Sequence, residues 1–221
     1  SIDTLAWLLL LLLFELETYQ IPDDKLTPKI ALAIHTFRMV CYGVIVYAFY
    51  GYLTKALNMD VFHAFESANV CGLVDQKYAV MTSLDKYTPL TLENCISFVG
   101  HQSFINENSS IIATSLKFNK ALWLIWLDVI NSSTWILVVV NLEFDIRMTA
   151  KQVSRNWLVR ASHISKGVLY FILVSAAVYW GFEDDFLPFW DAMLWIIAFM
   201  FIELNLFEWQ QELEEENAKS S

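Results

Sequence analysis

Three apolar stretches of this chain carry one polar signature. An Asp or Asn is followed four residues later by Trp, eight residues further by Glu, and two further by another acid or amide. The residues are Asp3, Trp7, Glu15 and Glu17; Asn131, Trp135, Glu143 and Asp145; and Asp191, Trp195, Glu203 and Asn205. A carboxylate inside a membrane-length apolar helix is costly, so carboxylates repeated at one spacing are functional candidates. From Asp3 to Glu15 is about 18 Å of helix, at 1.5 Å per residue.

A buried carboxylate must be neutralised by a proton or a partner. Basic partners follow in the sequence. His35 and Arg38 come after the first signature, and His163 and Lys166 after the second. Residues three apart share a helix face. Glu15 or Glu17 is therefore expected to meet His35 and Arg38, and Glu143 or Asp145 to meet His163 and Lys166. Such pairs are either structural clasps or titrating sites of the kind that move protons and ions. In this chain no basic helix follows Glu203 and Asn205. Either another protein supplies the cation, or Glu203 reaches the first two clasps inside a bundle.

The same offset of 128 positions that relates Trp7 to Trp135 also relates His35, Arg38 and Tyr42 to His163, Lys166 and Tyr170. That is the pattern of a helical hairpin duplicated in one orientation, with residues 189–209 as the first half of a third copy.

The elements that must position these residues are membrane helices. Of 221 residues 57% are hydrophobic, above the ~45–50% of soluble domains, and the mean hydropathy is +0.44. Five apolar segments run over 2–19, 30–54, 121–146, 164–182 and 189–209, each near the ~20 residues a span requires. The first looks superficially like a signal peptide. It lacks a basic start and a small-residue cleavage site, so it reads as a retained helix. Arg147, Lys151, Arg155 and Arg160 mark one connection as cytoplasmic, and Lys25 and Lys29 mark another. The N-terminus and the long loop then fall outside, and the acidic tail (Glu208, Glu212, Glu214, Glu215 and Glu216) falls inside. The expected setting is a bacterial inner membrane.

Residues 55–120 form the one large polar region, rich in turn residues, with one short helix expected after Thr91. Cys71 and Cys95 lie within it and form a disulfide if that side is oxidising; two free thiols are the alternative. The net charge of −10 and the absence of a basic footprint exclude nucleic acid as a partner. Phosphate loops, GxSxG, HExxH and CxxC are missing, so no enzyme chemistry is indicated. Glu-x-x-His, the mark of a carboxylate-bridged metal pair, is absent. His35 and His163 would suit bis-His ligation of haem b, with Arg38 and Lys166 on the propionates, but the nearby acids disfavour a dianionic porphyrin. No cofactor is expected. An interfacial aromatic belt explains a Trp near each helix start, at Trp7, Trp135 and Trp195, but not the fixed eight-residue step to Glu.

The expected fold is an all-α integral membrane protein with five transmembrane helices: two parallel-repeat hairpins, a half-repeat, and an extracytoplasmic loop domain between helices 2 and 3. Its parts are hairpin 1 (1–54), the loop region (55–120), hairpin 2 (121–182), the fifth helix (183–209) and an acidic tail (210–221). The expected function is a non-enzymatic subunit of a multi-component membrane complex, with the bilayer and other membrane subunits as partners. The alternative is an ion- or proton-coupled transporter or channel using Glu15, Glu143 and Glu203 with His35 and His163.

Overall fold

The computed structural model describes residues 2–16, 28–65, 67–150, 156–182 and 186–220. Glu17, Lys25, Lys151 and Arg155 lie outside them. The described chain forms α1 (Ile2–Glu15), α2 (Pro28–Leu57), α3 (Ser115–Ala150), α4 (Asn156–Gly181) and α5 (Phe186–Ser220). Among the described residues four helical stretches are long and apolar enough to cross a membrane: Pro28–Val61, Ser115–Met148, Trp157–Gly181 and Phe189–Glu208. α1 is as leucine-rich as any of them. Its 14 residues cover about 21 Å, less than the ~30 Å hydrocarbon core.

Local chemistry accounts for these helices. Pro28 opens α2, where its missing N–H is no loss. The hydroxyls of Thr36, Thr54 and Ser175 donate to the carbonyls of Leu32, Tyr50 and Phe171, at 2.8, 2.8 and 2.7 Å. Each polar group is thereby satisfied within its own helix, as an apolar solvent requires. α3 starts fifteen residues before Ile130 and runs unbroken through the polar run Asn131–Thr134, so that run lies inside a helix.

The chain divides into two compact units, 1–49 with 131–221, and 50–130. The described elements of the first are all helices. Its core joins Leu10 and Phe14 of α1, Cys41 and Ile45 of α2, Val138 and Leu142 of α3, Leu173 of α4, and Phe199 and Leu206 of α5.

The second unit corrects the all-α expectation. It holds a five-stranded sheet in the order β1-β4-β5-β2-β3, with β1 His63–Phe65, β2 Ala79–Ser83, β3 Lys86–Pro89, β4 Ser103–Asn106 and β5 Ile111–Thr114. The β2/β3 and β4/β5 pairs are antiparallel hairpins, whereas β2 and β5 run parallel. Where a short helix was expected after Thr91 there is a turn, then a single 3-10 turn, Cys95–Phe98. Asn94 shapes that turn: its side chain accepts from the Thr91 N–H at 2.8 Å and donates to the Pro89 carbonyl at 2.9 Å. Cys71 and Cys95 are bonded, with Cα atoms 5.2 Å apart. The bond ties the 3-10 segment Ser67–Gln76 to the second 3-10 turn, over a small core of Val70, Leu90, Phe98 and Ile112.

Candidate functional site: interlocked acids, bases and tryptophans

The three signature tryptophans meet. Trp7 lies 6.1 Å from Trp135 and 6.5 Å from Trp195, both edge-on, and Phe199 packs against Trp7 at 6.0 Å and Trp135 at 5.0 Å. These are favoured aromatic geometries. The tryptophans therefore form the centre of the bundle, where α1, α3 and α5 touch. An interfacial belt does not describe them. Asp3 accepts a hydrogen bond from the Trp7 side chain one turn on, which gives the four-residue step between acid and Trp a physical meaning.

Eight residues along each helix, about 12 Å from the tryptophans, lie the acids. Glu143 accepts from Arg38 Nη1 at 3.1 Å and from Tyr42 Oη at 2.5 Å, and Arg147 Nε approaches it at 3.5 Å. Arg38 is buried. It also donates to the Leu13 carbonyl of α1 at 3.4 Å and stacks over the Phe14 ring at 4.4 Å. It thus bridges α1, α2 and α3, as a planar guanidinium can.

Lys166 is the counterpart on α4. Its ammonium lies 2.6 Å from Asp145 Oδ2 and also contacts Glu203 Oε2 of α5. Ser162 Oγ lies 2.8 Å from both oxygens of Asp145, and Asn141 donates to Ser165. Between the last helix and the first, Asn205 Nδ2 donates to Glu15 Oε2 at 2.7 Å.

Asp145 meets Lys166 within its own hairpin and Glu203 reaches the same lysine, whereas Glu143 takes Arg38 from the helix pair before it and not the expected His163 or Lys166. Glu203 is therefore not left without a base; the cation comes from within the chain. The reason is position. α2 touches both α1 and α3, and α4 touches both α3 and α5, so each basic side chain reaches forward as well as back. Glu17 lies outside the described residues.

His35 and His163 are both exposed on their helices; His163 lies within electrostatic reach of Glu203, and His35 borders the hollow beside Arg38 and Glu143. Three residues of helix turn each of them about 60° away from the neighbouring Arg38 or Lys166. Among the described residues no group of three or more His, Cys, Asp or Glu side chains could hold a metal ion. In the second unit Lys55 pairs with Asp85 at 2.5 Å and His63 lies 3.7 Å from Glu107, all exposed.

Sequence reasoning overlooked Tyr42 and Ser162 as donors. A signal for the tyrosine existed: Tyr42 stands four residues after Arg38, and Tyr170 four after Lys166. The second tyrosine has not closed the same contact. Tyr170 Oη and Glu203 Oε1 are both buried and hydrogen-bonded to none of the described residues.

The assembled groups are ion pairs and charge-assisted hydrogen bonds, each worth more in a dry setting than in water. No protein-family model matches the chain, and comparison with curated proteins and with solved structures finds no similar protein.

Proposed function

We propose that the chain is a non-enzymatic integral membrane subunit of a larger complex, with five membrane helices built from two parallel hairpins and a half-repeat. α1 is the fifth membrane helix in this reading, because Trp7, Leu10 and Phe14 share one core with the four longer ones. The N-terminus and the sheet unit lie outside and the acidic tail lies in the cytoplasm of a bacterial inner membrane, following the basic residues Lys29, Arg147 and Arg160.

One observation carries the proposal. α1, α3 and α5 meet through their tryptophans, which leaves three seams between them. α2 lies over the α1/α3 seam with Arg38, and α4 over the α3/α5 seam with Lys166. Over the α5/α1 seam no third helix lies among the described residues, and the amide of Asn205 bonds to Glu15 there. Leu8 and Phe201, which flank this seam on the same helix faces as Glu15 and Asn205, are 48% and 61% exposed. A transmembrane helix of another subunit fits that position.

Photo-crosslinking from Leu8 and Phe201 tests it in the native membrane. Adducts to a distinct membrane protein from both sites, and none from Phe171 on α4, are expected. A functional monomer that gives no adduct from either site defeats the reading.

A second reading has its own observation. The unmatched Tyr170 hydroxyl and Glu203 oxygen beside Lys166 would suit a proton- or ion-coupled pathway. Liposome flux that depends on Glu203 and is abolished by Glu203→Gln would favour it over the subunit reading.

A further inference from the structure

Glu143 stands at the junction of two hollows. One is a cavity of about 420 Å³ beside α1, α2 and α3, walled by apolar side chains that include Val46, Ile136, Val140 and Phe144. The other, of about 270 Å³, is lined by His35, Arg38 and Ile146. Glu143 and Arg147 border both, so the two form one groove between α2 and α3. Val46, Val140 and Phe144 are 53%, 57% and 41% exposed, which opens the apolar part sideways.

The groove is graded along the helices. Its upper part, toward Trp7, offers hydrocarbon contact. Its lower part holds two guanidinium groups against one carboxylate, with an imidazole beside them. Arg38 and Arg147 both lean on Glu143. Arg38 is fixed, with only 4% of its side chain exposed, whereas Arg147, in the last turn of α3, keeps 63% of its side chain open. An occupant must therefore be apolar over most of its length and carry an anion at one end. It must also enter sideways from the surrounding hydrocarbon.

We propose that this groove binds one anionic phospholipid of the bilayer, an acyl chain along Val46 and Val140 and the headgroup phosphate against the open guanidinium of Arg147. Basic pockets between membrane helices take lipid headgroups in this way, and guanidinium suits phosphate by its paired donors. The proposal rests on the membrane setting alone and not on the subunit reading; a protein with no partner can still hold this lipid.

Native mass spectrometry of the full chain, delipidated and then offered equal phosphatidylglycerol and phosphatidylcholine, tests it. One phosphatidylglycerol should be retained in clear preference. Arg147→Gln should reduce that preference about fivefold, the effect of one surface cation on an anionic lipid. Val140→Trp, which fills the hydrocarbon part and leaves every charge in place, should release the lipid as well. Equal retention of the two lipids by the unaltered protein overturns the proposal, as does retention unchanged in both variants. Displacement of the lipid by inorganic phosphate alone also overturns it, because the site would then be one for a free anion.

Discussion

The two basic helices of the bundle solve one problem in two ways. α4 packs closely along α5, whereas α2 approaches its neighbours less closely and leaves the groove beside Glu143. Lys166 suits the tight seam: a compact ammonium inserted between Asp145 and Glu203. Arg38 suits the open one, since its fork spans from Glu143 to the Leu13 carbonyl and its face lies on Phe14. Arg and Lys at corresponding positions are thus not interchangeable. Packing distance decides which cation belongs where.

The contrast is sharpest under substitution. Lys166→Met would leave two carboxylates buried without their cation, and removing one partner of a buried pair typically costs about 3–5 kcal/mol. Unfolding in detergent should show that loss. Arg38→Met should cost less, about 2 kcal/mol, because Glu143 retains Tyr42 and Arg147. Equal losses would mean that the seams are energetically alike.

Next in size is the amide that links the last helix to the first. Asn205→Asp removes the donor to Glu15 and sets two carboxyl groups side by side, a change of about 2 kcal/mol. Since Asp145 occupies the matching place in α3 with Lys166 beside it, an Asn205→Asp protein as stable as the original would show that the third seam obtains a cation from elsewhere.

The tyrosines give a smaller and cleaner separation. Tyr42→Phe removes a hydrogen bond to a charged acceptor, worth about 1.5–3 kcal/mol. Tyr170→Phe removes a hydroxyl bonded to none of the described residues and should change stability little. A loss at Tyr170 comparable to that at Tyr42 would show that the tyrosine closes onto Glu203 in solution.

Smallest are the helical glycines. Gly43 of α2 and Gly167 of α4 each have open space where a Cβ would stand, so Ala at either should raise stability by about 0.5–1 kcal/mol through helix propensity. Gly181 differs: an added Cβ would lie 3.3 Å from the Phe189 ring. Ala there should gain less than at the other two, and melting temperatures of the three variants give the order.

Much of this was legible in the residues. Apolar runs located the helices, and the common spacing set each of the three acids eight residues along its helix from a tryptophan. Cys71 and Cys95 marked their own bond. What spacing does not contain is lateral identity. A helix tells how far along its axis a carboxylate lies, but which neighbour it faces depends on packing, so spacing pairs Glu143 with its own hairpin and leaves the cation of Glu203 open between this chain and another. The tryptophans were misread for the same reason, because a belt and a core seam share one depth. The sheet escaped because its strands are three to five residues long. Runs that short carry too little alternation to stand out from turns, and β3 is exposed along its whole length.

The hydrogen bond between Asn205 and Glu15 joins residues 190 positions apart, and this constrains the order in which the protein can be made. Of these two residues Glu15 is made first, and its bond to Asn205 can close only after α5 has been synthesised. The Arg38–Glu143 and Lys166–Asp145 links join earlier elements and can form before that. A chain cut short before α5 would therefore keep those two links and lose the amide contact of Glu15.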